Sequence, residues 1–145
     1  MNTFTFDDIV SKKDDPENYT RAEFKAAVTD EMMDKFLEIS GDDNPLHRDS
    51  TFATDKGFRD RVVYGMLTAS FYSRLAGVYL PGRNCILHSV ESSFHAPVFV
   101  GDELTVSGFV KVKYESTRVI EVSAKIVNQD GTKVGKAKIL AGFLE

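Results

Sequence analysis

The sequence predicts an α+β fold in which an antiparallel β-sheet wraps around one long central α-helix. Two observations carry this expectation. Apolar and polar residues alternate with a period of two through Leu104, Val106, Gly108, Val110, Val112 and Tyr114, and again through Ile120, Val122, Ala124 and Ile126, as half-buried strands require. Upstream, Val62 to Leu80 is a mostly apolar stretch of helical length, the natural occupant for the apolar face of such a sheet. With 145 residues and no linker or internal repeat, the chain reads as a single domain over residues 1–145.

Taken in order, Phe4, Phe6 and Ile9 form a short apolar anchor, and the charged run from Ser11 to Tyr19, which contains Pro16, is a surface loop. Thr29 is placed to cap a helix whose first turn carries Asp30 and Glu31, whose apolar face is Met32, Met33, Phe36 and Leu37, and which Gly41 stops. A polar loop follows, in which Pro45 biases Asn44 toward extended backbone and which ends at His47. Asp49 can cap a short helix through Phe52 and Ala53, closed near Gly57. The long helix from Val62 to Leu80 carries Thr68, Ser70, Ser73 and Arg74, too many polar groups for an unaided membrane span, and Pro81-Gly82 ends it. Strands from Ile86 to Phe94 and from Val134 to Phe143 complete an antiparallel meander, with turns at Gly101-Asp102 and Asp130-Gly131.

Composition narrows the function. Hydrophobic residues at 42% and charged residues at 28% are ordinary for a folded globular chain. A net charge of −4 repels nucleic acid and anionic membranes, so neither is expected as a partner. The one cysteine, Cys85, cannot pair internally, and no Cys/His spacing suggests a zinc site, so no metal or cofactor is expected. The N-terminus lacks the basic stretch and apolar core of a secretion signal, and a cytoplasmic location is expected.

The chemistry gathers in Ser40-Gly41-Asp42-Asp43-Asn44-Pro45-Leu46-His47. Asp42 and His47 are separated by a proline-bearing turn that can direct both side chains toward one point. A carboxylate and an imidazole sharing one water form a proton-transfer device, because imidazole titrates near neutrality and the carboxylate can fix its charge state. Spacing alone leaves the plainer alternative open, in which the aspartates cap a loop and His47 lies on the surface. Asn44 reads as a loop lock, bonding local backbone groups. His88 and His95 fall in or beside a predicted strand and read as structural or surface residues.

The run Phe36 to His47 followed by Ala53 resembles the signature of the MaoC-like, R-specific enoyl-CoA hydratases, which adopt the hotdog fold. Val62-Val63-Tyr64-Gly65-Met66-Leu67-Thr68-Ala69-Ser70 resembles the start of that family's central helix, and Pro97 to Leu104 its strand connection. The resemblance implies hydration of trans-2-enoyl thioesters to (R)-3-hydroxyacyl thioesters, or the reverse dehydration, with Asp42 and His47 as the catalytic pair. It implies the Gly65 backbone amide as the oxyanion donor, an effect worth roughly 3–4 kcal/mol per donor. Ser70 matches a serine associated with the family's active site, either orienting catalytic groups or serving as a small helix-to-sheet contact. Many members carry His immediately before the glycine, where this chain has Tyr64, which donates a hydrogen bond but does not titrate near neutrality.

The implied partners are an acyl thioester, on CoA or on an acyl carrier protein, and a second copy of the chain in a homodimer that pairs exposed strand edges. Phosphates on the carrier call for basic residues, for which Lys56, Arg59, Arg61, Arg83, Lys111, Lys113 and Arg118 are candidates. Two alternatives compete: a hotdog thioesterase, disfavoured because Val62 to Leu80 contains no Asp or Glu, and a noncatalytic acyl-thioester binding module.

Overall fold

A computed structural model describes residues 1–145. After a 3₁₀ turn at Phe6–Asp8, the elements are β1 (Arg21–Ala27), α1 (Asp30–Ser40), α2 (Pro45–Arg48), α3 (Ser50–Asp55) and α4 (Gly65–Arg74), which runs into a π-helical turn at Leu75–Tyr79. Four strands follow: β2 (Cys85–Phe94), β3 (Glu103–Tyr114), β4 (Val119–Val127) and β5 (Lys133–Phe143). The five strands form one antiparallel sheet in the order β1-β3-β4-β5-β2, wrapped around α4 in the hotdog arrangement.

The alternation in β3 and β4 decides which face turns inward. Leu104, Val106, Val110, Ile120, Val122 and Ile126 are buried, and they meet Leu67, Tyr72, Leu75 and Ala76 of the central helix in one apolar core. Each such aliphatic side chain contributes about 1.5–3 kcal/mol by leaving water. Gly108 sets the closeness of helix and sheet, because a Cβ there would lie 2.8 Å from Leu75 Cδ2.

Three expectations need correction. The sheet is a meander only over β3, β4 and β5; β2 pairs with β5 across the far side, and the unforeseen β1 adds to β3. The signal for β1 was weak, since its inward residues Phe24 and Ala26 alternate with charge over only seven residues. The central helix starts at Gly65, not Val62, because Val62 bridges to Phe99 and the Val63 N–H donates to Val98 O at 2.8 Å, which holds that segment extended. His47 stands on the helical turn α2 and not in an open loop, since Pro45 opens a helix well at its first position.

Other local rules hold. Thr29 Oγ accepts from the Met32 N–H and Gly41 closes α1 at φ 70°. Asp49 caps α3 by accepting from the Phe52 N–H. Phe6 and Ile9 are buried, as an anchor should be.

Candidate active site

The polar loop is folded by its own short side chains. Ser40 Oγ–H donates to Phe36 O at 2.7 Å and accepts from the Asp42 N–H at 3.1 Å, which carries the chain off the end of α1. Asp42 Oδ1 then accepts from the Asn44 N–H at 3.1 Å. Asn44 Oδ1 accepts from the Leu46 N–H at 2.9 Å, capping α2 and locking the loop as its sequence suggests.

His47 is docked on Val62 from two directions. The Val62 N–H donates to Leu46 O at 3.0 Å, and His47 Nδ1 lies 2.7 Å from Val62 O. A carbonyl only accepts, so Nδ1 carries a proton, and in the neutral ring Nε2 is the acceptor. The imidazole also packs on the ring of Tyr64, with centroids 4.3 Å apart. Tyr64 is buried, its ring meets Phe36 of α1, and its hydroxyl donates to the Asp42 carbonyl oxygen at 2.7 Å. Burial holds this phenol above its ordinary value, so it stays a neutral donor through the physiological range. The residue at the position of a common family histidine is therefore the post that joins the Asp42 loop to His47.

A cavity of about 340 Å³ opens beside His47 and is lined by Gly65, Thr68, Phe94, Val98 and Val134 among others. Gly65 is the first residue of α4, and its N–H meets no backbone acceptor, as expected at a helix start. That amide and the positive end of α4 favour negative charge developing in the cavity. The Phe94 ring lies over Gly65 so closely that a Cβ there would come within 3.1–3.3 Å of it.

The structure thus brings His47, Tyr64 and Gly65 together, with Asp42 reached through the Tyr64 hydroxyl. The Asp42 side chain is exposed on the loop, its second oxygen has no protein partner, and it does not line the cavity within one chain. Ser70 stands apart: its hydroxyl donates to Leu67 O of its own helix at 2.5 Å. His88 lies in β2 at a bulge, whereas His95, expected to be structural or at the surface, lines the same cavity as His47, with its Nε2 3.0 Å from Ser93 Oγ. Sequence reasoning missed Val62 and Phe94. A backbone carbonyl leaves no sequence signal, whereas Phe94 was readable as the last apolar residue of a strand that faces the helix.

Several candidate cations already have partners, and Arg61 also donates to His47 O at 3.5 Å. Arg61 pairs with Asp30, Arg59 with Asp102 at 3.6 Å, and Arg118 with Asp7 and Glu145. Lys113 donates to Ile9 O at 2.8 Å. No helix is long and apolar enough to cross a membrane.

Comparison with known proteins agrees with this fold. The MaoC like domain matches residues 11–131. An (R)-specific enoyl-CoA hydratase of Aeromonas caviae is 41% identical over 96 residues, which are 66% of this chain and 72% of that protein. A mitochondrial 3-hydroxyacyl-[acyl-carrier-protein] dehydratase of Arabidopsis thaliana is 38% identical over 74 residues, and the match spans 51% of this chain and less than half, 43%, of that protein. The solved structure of an (R)-hydratase from A. caviae involved in PHA biosynthesis superposes with a TM-score of 0.82 at 31% identity, covering 88% of this chain and 98% of that one. By sequence model, relatives and fold alike, the chain belongs to the MaoC-like domain family.

Proposed function

We propose that this protein is a hydro-lyase that adds water to trans-2-enoyl thioesters to give (R)-3-hydroxyacyl thioesters, or removes it. The observation that carries the reading is the 2.7 Å contact of His47 Nδ1 with the Val62 carbonyl oxygen. With Nδ1 directed at Val62 O, Nε2 is the ring nitrogen left for a substrate or water, at the wall of a cavity that Gly65 also lines. Base and oxyanion donor on one small cavity are the parts that this addition needs.

In the hydration direction, the water oxygen bonds to Cβ while the Asp42/His47 pair takes one of its protons. The Cα–Cβ π electrons move onto the thioester as an enolate, whose oxygen the Gly65 N–H meets. The pair then returns the proton to Cα, and the enolate collapses to the thioester. Asp42 lies outside the cavity lining of one chain; its carboxylate oxygen without a protein partner is the group that it would turn toward the same water, and Asn44 and Tyr64 hold its loop. Ser70 donates its hydroxyl hydrogen to Leu67 O, so it acts on the site through α4. The family relatives, which include CoA and carrier-protein enzymes by name, support this substrate class.

We assign the working form as a homodimer with residues 1–145 as its single domain. The support is the unpaired edge of β2, on which Ile86, Leu87, Val90 and Phe94 are exposed. Phe94 also walls the cavity, so a second copy covering β2 would close the site.

Incubation with crotonyl-CoA tests the reading. The expected result is loss of the conjugated enoyl absorbance with formation of the R product. Release of free CoA would favour the thioesterase alternative, and tight binding without either reaction the binding module.

A further inference from the structure

Four basic side chains stand together on the outer face of the sheet, turned away from α4. Arg21, Lys125, Lys133 and Lys136 surround a hollow of about 620 Å³ that contains one carboxylate, Glu23. All four are exposed, and none makes an ion pair. Strand register produces the cluster. Glu23 stands opposite Ser107, Ser107 opposite Lys125, Lys125 opposite Lys136, and Lys136 opposite Ser93. Two lysines directly opposed on one face repel and weaken the sheet. A chain of net charge −4 is under no compositional pressure to place them so. The small serines between them leave the surface concave, and a second hollow of about 640 Å³ continues it over Lys136 toward Lys111 and Ser93.

The dimensions select the occupant. From Arg21 on β1 to Lys136 on β5 the cluster crosses three inter-strand spacings, about 14 Å. That is too broad for one phosphate, but it fits an α-helix with its side chains, about 10–12 Å across. A second copy of this chain would bring the same lysines against themselves. The interspersed carboxylates Glu23, Glu91 and Glu121 oppose a continuous polyphosphate and suit a protein of mixed but net acidic surface. Position adds a link to the reaction. Ser93 and Lys136 of the hollow adjoin Phe94 and Gly135, and Phe94 and Val134 line the His47 cavity. Hollow and cavity therefore lie on opposite faces of one end of the β2–β5 ladder.

We propose that this face docks an acidic carrier protein that delivers the acyl thioester, with a carboxylate-bearing helix of the carrier lying across β3, β4 and β5 on Lys125, Lys133 and Lys136. The identity of the delivered group rests on the hydratase reading; the docking does not.

The test compares a crotonyl group on an acyl carrier protein with crotonyl-CoA, in the parent, in Lys125→Glu/Lys136→Glu and in Lys125→Gln/Lys136→Gln. A parallel titration measures the Kd of the holo carrier protein without an acyl group. Both double variants are expected to raise KM for the carrier-bound substrate about tenfold or more while leaving kcat/KM for crotonyl-CoA within about twofold. The parent's Kd for the holo carrier protein should weaken as salt rises. Lys136→Glu alone should raise Tm, because it sets a carboxylate opposite Lys125. Carrier-bound turnover and Kd indifferent to both substitution and salt would overturn the proposal, as would an RNA oligonucleotide binding these lysines in preference to the carrier protein. Failure of the parent to turn over either crotonyl thioester would instead refute the hydratase reading, and the Kd series would then decide the docking by itself.

Discussion

Tyr64 is the residue on which the site's geometry converges, since it stacks on His47 and bonds the Asp42 carbonyl. Removing only its hydroxyl leaves the stack and frees the loop. Tyr64→Phe is expected to cost about 1 kcal/mol of stability, the net worth of one neutral hydrogen bond. It should also lower kcat more than it raises KM, which steady-state kinetics beside urea melts will show. A second tyrosine supplies a pH signature. Tyr72 is fully buried on α4 with no partner for its hydroxyl, and burial pushes its pKa from 10.0 up to about 12. Its raised folded pKa means that the fold favours the neutral phenol, so this contribution is complete below the unfolded value and is lost as pH rises through the folded one. Between about pH 10 and 12, stability of the parent should therefore fall more steeply than that of Tyr72→Phe, as paired denaturant melts will show.

At the scale of elements, the start of α4 is where fold and chemistry meet. Gly65 opens the helix, lines the cavity and sits under the Phe94 ring, which a Cβ would have to displace. Gly65→Ala is expected to reduce kcat/KM by about tenfold or more, through ring displacement and a shifted oxyanion donor. Tm should hardly change, because the half-exposed ring can swing outward; kinetics and a melt on the same sample check both. Much of this was legible in the sequence. Thr29 and Gly41 bound α1, and the period-two pattern of β3 and β4 reports their inward face, because capping and burial are local or periodic properties. The start of α4 was not legible, since Val62 and Val63 are as apolar as the helix they precede and are held extended by the remote Val98 and Phe99. The Asp42 to His47 motif named its residues, but the partner that sets the His47 tautomer is a carbonyl fifteen positions away, which no side-chain pattern encodes.

For the whole molecule, the free edge and exposed apolar residues of β2 place the proposed dimer contact beside the cavity. Leu87→Lys with Val90→Lys is expected to give a monomer in sedimentation velocity and to lose most activity, since Phe94 would be left uncovered at the site wall. A monomeric parent with full turnover would remove the dimer from the mechanism. All of these features serve one proposition, that Asp42 and His47 act together on a water held opposite the Gly65 amide. Single-turnover hydration of crotonyl-CoA by the parent, Asp42→Asn and His47→Gln tests it most directly. Each substitution is expected to slow the chemical step by about 10²- to 10⁴-fold with substrate binding nearly unchanged, as loss of a proton-transfer group does. A chemical step that survives either substitution at close to the parental rate would contradict it.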